Sequence, residues 1–122
     1  MPAKNKKQQT FVTGLGVDLA EVSRVRRLAA SPRFLKRVFT PAELAYCLKS
    51  KNKYERLAAR FAVKEAVIKA LDDKSLQLNR IEVENAESGR PGATVKGRPG
   101  LRLLVSISHT AAYACAAVIA FE

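Results

Sequence analysis

Tryptophan is absent from this 122-residue chain, and aromatic residues make up only 7% of it. So few π-faces count against a single-strand nucleic-acid binder built on stacked bases. Cysteine is limited to Cys47 and Cys115, which lie far apart and form no C-x-x-C. That argues against a disulfide scaffold and a zinc ribbon, and a reduced, cytoplasmic setting is the simplest expectation. The longest apolar run, Ala111 to Phe121, falls short of the ~20 residues that a membrane helix needs, so no membrane is expected. Residues 1–10 carry charge but no apolar stretch, and read as a flexible basic tail rather than a signal peptide. Acidic residues are in deficit: 11 against 22 Lys plus Arg, a net charge of +11. So basic a surface expects a negative partner, whether nucleic acid, a phosphorylated small molecule, an anionic membrane or an acidic protein.

What is present suits a folded domain. Hydrophobic residues account for 48% of the chain and charged ones for 27%, which predicts one domain over 11–122. Phe11 to Leu19 reads as a strand, with Phe11, Thr13, Leu15, Val17 and Leu19 on one face and Val12, Gly14, Gly16 and Asp18 on the other. After Asp18 the spacing turns helical through Val22, Val25 and Leu28. Ser31-Pro32 opens a short helix. Thr40-Pro41-Ala42-Glu43 is a capping box opening another, to about Leu48. Tyr54 to Leu71, free of Gly and Pro, predicts a long helix. Ile81 to Glu84 and Ala93 to Lys96 read as a strand and its return around the turn Ser88 to Gly92. Leu103 to Ser108 and Tyr113 to Phe121 read as two more strands, joined at His109 to Ala112. A strand, then helices, then strands predicts an α+β fold: a small antiparallel sheet packed against helices, one of them long and central.

Glu65 is the sharpest anomaly. At 100° per residue it falls among Leu57, Ala58, Phe61 and Ile68, where a carboxylate is costly unless paired or metal-bound. Lys69, four residues on, offers a helical ion pair, and from the helix alone that is the simpler reading. The alternative is a metal or acid–base carboxylate beside a phosphate-binding lysine. Asp18, at a strand end on a face opened by glycines, is either an N-cap or a second such ligand. Two hard carboxylates with room for phosphate and water suit Mg²⁺. His109, the only histidine, is a weak signal alone; beside these groups it suits phosphate contact or proton transfer. Arg24, Arg26, Arg27, Arg33, Lys36 and Arg37, interleaved with Leu28, Phe34 and Leu35, are either a solvated flank or a basic rim with apolar anchors for an acidic helix.

Four stretches resemble motifs of the holo-acyl-carrier-protein synthases, a small trimeric class of 4′-phosphopantetheinyl transferases. Gly14-Leu15-Gly16-Val17-Asp18 with Leu19 and Val22 is similar to G-x-G-x-D-[IL]-x-x-[IV]. Phe34 to Glu43 resembles F-x-x-R-x-[FL]-T-x-x-E. Arg60-Phe61-Ala62-Val63-Lys64-Glu65-Ala66 with Lys69-Ala70 resembles R-[FW]-A-x-K-E-A-x-x-K-A, the most specific of the four. Val105-Ser106-Ile107-Ser108-His109 resembles [VI]-S-[IL]-[ST]-H. The resemblance implies transfer of the phosphopantetheine arm of coenzyme A to a serine of apo acyl carrier protein, releasing adenosine 3′,5′-bisphosphate. It further implies Asp18 and Glu65 as Mg²⁺ ligands, Lys69 as a phosphate partner, and Arg60 and His109 at the nucleotide end of CoA. Arg24, Arg27, Phe34 and Arg37 would receive the acidic carrier protein. A homotrimer with sites at subunit interfaces is implied too, with the strand Tyr113 to Phe121 as a buried contributor. Either Glu65 or a metal-held water would be the base.

One departure stands out. Members of the class often carry a glycine-rich loop after the third motif; here it is Leu71-Asp72-Asp73-Lys74-Ser75-Leu76, whose carboxylates would repel phosphate. The rival reading, a non-catalytic nucleic-acid-binding module, rests on the charge and the arginine flank alone. It accounts for neither Glu65 nor the Gly14, Gly16 and Asp18 pattern.

Overall fold

A computed structural model describes residues 10–122, so the tail expected over 1–10 lies, save for Thr10, outside the described residues. Strand β1 (Val12–Glu21) is followed by four helices, α1 (Val22–Leu28), α2 (Pro32–Val38), α3 (Pro41–Leu48) and α4 (Lys53–Leu71). A 3₁₀ turn (Leu78–Arg80) then leads into β2 (Ile81–Asn85), β3 (Pro91–Val95), β4 (Arg102–His109) and β5 (Tyr113–Phe121). Two antiparallel sheets form, one of three strands in the order β1-β5-β4 and one of two, β2-β3. The α+β expectation holds, with the expected single sheet divided into two. No helix among the described residues is long and apolar enough to cross a membrane.

The short helices start where their caps dictate. Ser31 Oγ accepts from the Phe34 amide at the head of α2. At the head of α3, Thr40 Oγ1 accepts from Glu43 N while Glu43 Oε1 accepts from Thr40 N, closing the capping box. Helix α4 ends on Asp72 at φ +51°. The amides of Asp72 and Asp73 there return to the carbonyls of Lys69 and Ile68. A left-handed residue at this point is ordinarily glycine; Asp72 fills the position at some steric cost.

β1 runs two residues further than expected, because Ala20 and Glu21 pair with Ala114 and Tyr113 of β5. α1 therefore begins at Val22, and its cap position is Glu21 with no side-chain cap bond. The N-cap reading of Asp18 falls with that: the residue sits inside the strand, opposite Ala116.

α4 crosses the inner face of the three-stranded sheet, and the glycines of β1 set how close it comes. A Cβ on Gly14 would lie 1.7 Å from the Ala70 carbonyl oxygen, and one on Gly16 1.9 Å from that of Ala66. These glycines admit the helix backbone rather than opening the face for a ligand. Ala62, Ala66 and Ala70 complete the small-residue contact, with Ala114, Ala116, Val118 and Ala120 of β5 buried beneath. The other flanks of α4 pack on α1, α3 and β2, so the helix is buried almost all round, including Arg60 and Lys64. Its buried face is centred on Leu57, Ala58, Ala62 and Ala66, and Phe61, Glu65 and Ile68 lie at its half-buried margin. The expectation of Glu65 in the middle of the apolar face is corrected accordingly.

The outer face of the same sheet carries apolar side chains in the open. Leu15, Val17 and Leu19 are 65%, 52% and 64% exposed. Leu15 lies beside Ile119 and, across β5, Leu104.

Candidate active site

The margin of α4 meets the end of β1 at a cavity of ≈ 380 Å³ lined by Asp18, Arg24, Leu28, Phe61, Glu65 and Tyr113, among others. Strand pleating aims Asp18 toward α4, like Gly14 and Gly16 before it. Glu65 is delivered from the helix, and Arg24 from α1 across the opening. Glu65 is pushed above the ordinary carboxylate range, chiefly by burial and next by the charge of Asp18, with Lys69 and Arg24 acting against the shift.

Lys69 does not pair with its helical neighbour Glu65. Its Nζ donates to Asp18 Oδ1 at 3.2 Å and to the Val17 carbonyl at 2.9 Å. The simple Glu65–Lys69 ion pair is thereby set aside, and Glu65 is left repelled by Asp18. No group of three or more His, Cys, Asp or Glu side chains gathers among the described residues. Two carboxylates sharing a pocket, Glu65 raised first by burial and then by the charge of Asp18, fit a hard divalent cation that keeps most of its coordination for phosphate oxygens and water.

Arg60 and His109 are brought together, but in a different cavity, of ≈ 260 Å³, with Asn52, Glu55, Arg56 and Asn85 in its lining. Arg60 Nη2 donates to Asn85 Oδ1 at 3.0 Å, and its guanidinium stacks 4.5 Å from the centre of the Tyr46 ring. Its Nε is buried without a partner, alone in that among the side-chain atoms of the described residues. His109 Nδ1 lies 3.1 Å from Glu55 Oε1. Arg56 is fixed by Ser50 Oγ at 2.8 Å and the Tyr46 hydroxyl at 2.6 Å.

The arginine flank divides. Arg24 belongs to the carboxylate cavity, whereas Arg27, Arg33, Phe34 and Arg37 line an adjoining groove of ≈ 740 Å³ whose far wall is Leu76 to Asn79. Leu28 borders both. Phe34 forms a half-buried floor, 6.2 Å centre to centre from both Phe39 and Phe61.

The sequence reading passed over two groups. Arg56 precedes Arg60 by one helical turn, a spacing that would have flagged it. The sequence marks Glu43 as a helix start and as the last position of a family motif, with no role assigned to it beyond that, yet it is buried against Lys64 at 2.7 Å. No local pattern announces that partner, which lies 21 residues on.

Residues 14–118 match the 4′-phosphopantetheinyl transferase superfamily, and the chain belongs to that superfamily. Within it the chain falls among the holo-[acyl-carrier-protein] synthases. It is 42% identical over 112 residues to the one from Thermodesulfovibrio yellowstonii, covering 89% of this chain and 98% of the relative. The crystal structure of a holo-(acyl-carrier-protein) synthase from Bacillus anthracis in complex with CoA (3′,5′-ADP) superposes with a TM-score of 0.81 at 29% identity, over 91% of this chain and 97% of that one. The Helicobacter pylori synthase in complex with coenzyme A gives 0.76 at 29% identity, over 87% and 98%.

Proposed function

We propose that the protein transfers the 4′-phosphopantetheine arm of coenzyme A, with Mg²⁺, to a serine of apo acyl carrier protein. The observation that carries this is the pairing of Asp18 with Glu65 in one cavity, Lys69 beside them and a basic groove adjoining. The serine oxygen forms a bond to the phosphorus on the pantetheine side of the CoA pyrophosphate. The bond from that phosphorus to the bridging oxygen breaks, adenosine 3′,5′-bisphosphate leaves, and the serine proton passes to the Glu65 carboxylate or to a water at the Asp18–Glu65 end of the cavity. Asp18 and Glu65 would hold the Mg²⁺, which would supply charge neutralisation at the phosphate oxygens. Lys69, anchored through Asp18 and the Val17 carbonyl, directs a second positive charge to the same oxygens. Arg60 and His109 receive the nucleotide end, and the unmet Arg60 Nε and its neighbour Arg56 support an anionic ligand there.

Arg24 rims the metal cavity, and Arg27, Phe34 and Arg37 seat the acidic carrier protein in the groove. The two cavities lie apart within one chain, and the outer sheet face is apolar and exposed. Both features support a homotrimer whose sites are completed between subunits. The unpaired Cys47 and Cys115 support a cytoplasmic setting, and residues 11–122 act as one domain behind a basic tail.

The test incubates the protein with apo carrier protein, CoA and Mg²⁺ and weighs the carrier. A mass gain equal to the phosphopantetheine arm, lost with EDTA and restored by Mg²⁺, is expected. An unchanged carrier mass in the presence of Mg²⁺ refutes the assignment.

A further inference from the structure

Glu43 and Lys64 are both fully buried, and no step of the proposed transfer uses either. Their pairing is complete in hydrogen bonds. Glu43 Oε1 accepts from Lys64 Nζ at 2.7 Å and from the Thr40 amide at 2.8 Å, while Oε2 accepts from the Val83 amide at 2.6 Å. Lys64 Nζ spends its other two protons on the carbonyls of Leu78, at 3.0 Å, and Ile81, at 2.5 Å. A buried ion pair is weak evidence for stability, because desolvation offsets most of the attraction. What this one does is tie α3, α4 and β2 together at one carboxylate.

Those three elements are the ones that build the Arg60 cradle. Arg60 lies one turn before Lys64 on α4. Tyr46, on which its guanidinium stacks, lies one turn after Glu43 on α3. Asn85, which accepts from its Nη2, lies two residues after Val83 on β2, on the same side of the strand. We propose that Glu43 is a positioning residue for Arg60, its carboxylate locking in register the helix that carries Arg60 and the two elements whose side chains hold the guanidinium. The carboxylate touches no ligand. It acts by keeping Tyr46 and Asn85 at fixed distances from α4, so that Arg60 meets the nucleotide end of CoA already ordered and loses little side-chain freedom on binding. This rests on the reading of Arg60 as a contact for that end of CoA.

The experiment is a double-mutant cycle on the full chain, read by calorimetric titration with CoA and by transfer kinetics. Arg60→Ala tests the underlying reading: CoA affinity unchanged from the parent overturns it, and the positioning role with it. Glu43→Gln keeps the shape and removes the charge. Its CoA affinity is expected to fall about three- to tenfold, with kcat changed much less than KM, and the fall is expected to vanish when Arg60 is already Ala. A merely structural role would lower the fraction of active protein and leave the affinity of the folded sites alone. Folded Glu43→Gln with parental CoA affinity, or a loss that multiplies with Arg60→Ala, overturns the proposal while leaving the Arg60 reading standing. Where Glu43→Gln does not fold, Glu43→Asp keeps the charge and withdraws the carboxylate, and the same cycle decides on the same criteria.

Discussion

Lys69 reaches across 51 positions of sequence to Asp18, at 3.2 Å, and leaves Glu65 on its own helix without it. That choice decides the electrostatics of the site. Two carboxylates share one cavity, and the lysine sides with the one on β1. Glu65 is held above its ordinary range by burial first and by Asp18 second.

A group whose folded pKa is raised adds stability at low pH and loses it as pH rises through the folded value. Ionised Glu65 therefore costs the metal-free protein stability at neutral pH. Glu65→Gln is expected to abolish transfer yet raise Tm at pH 7, measured in EDTA, with the gain shrinking toward pH 4 as the parent carboxyl protonates. A lower Tm at pH 7 would show that Glu65 is held by a favourable partner instead.

Asp18→Asn is expected to abolish transfer as well, with the circular dichroism spectrum preserved. The substitution retains shape and removes a hard anionic ligand. Near-parental turnover of the variant in limiting Mg²⁺ would take Asp18 out of the metal site.

Gly16→Ala is a stringent test of the helix–strand contact. Its new methyl would stand 1.9 Å from the Ala66 carbonyl oxygen, and both partners are backbone in the middle of elements. A loss of at least about 3 kcal/mol is expected in urea unfolding. Asp72→Gly works the other way, since it relieves a left-handed residue at the end of α4. A gain of up to about 1 kcal/mol is expected by the same method.

Reversing Arg24 and Arg27 to Glu is expected to raise KM for the carrier protein, with less effect of Arg27 on the carboxylate cavity, which only Arg24 of the two lines. The difference from the parent should fade with added salt as screening grows. Tight binding of random duplex DNA, lost on the same reversal with carrier kinetics unchanged, would favour the nucleic-acid reading.

Leu15→Asp places a charge on the exposed sheet face beside Ile119 and Leu104. Light scattering is expected to show monomers, and activity is expected to fall with assembly. An active monomer would remove the case for shared sites.

Local information accounts for much of what the sequence alone determined. Capping chemistry placed α2 and α3, because a cap and its partner lie within four residues. The Gly- and Pro-free stretch placed α4 to within one residue, because helix formation is decided turn by turn. The motif order identified the class and put Asp18, Glu65, Lys69, Arg60 and His109 in view. Tertiary structure decided what each of these side chains faces. The Glu65–Lys69 spacing allowed a pair that the approach of β1 replaced with Asp18–Lys69. The β1 glycines looked like an opening until the α4 backbone filled it. Glu43 showed one of its two roles, the capping box at three residues' distance, and hid the other, because the Lys64 that buries it arrives only when α4 docks against α3 and β2. Helix and turn signals are written in neighbouring residues; which carboxylate keeps a cation depends on distances set by packing across the whole chain.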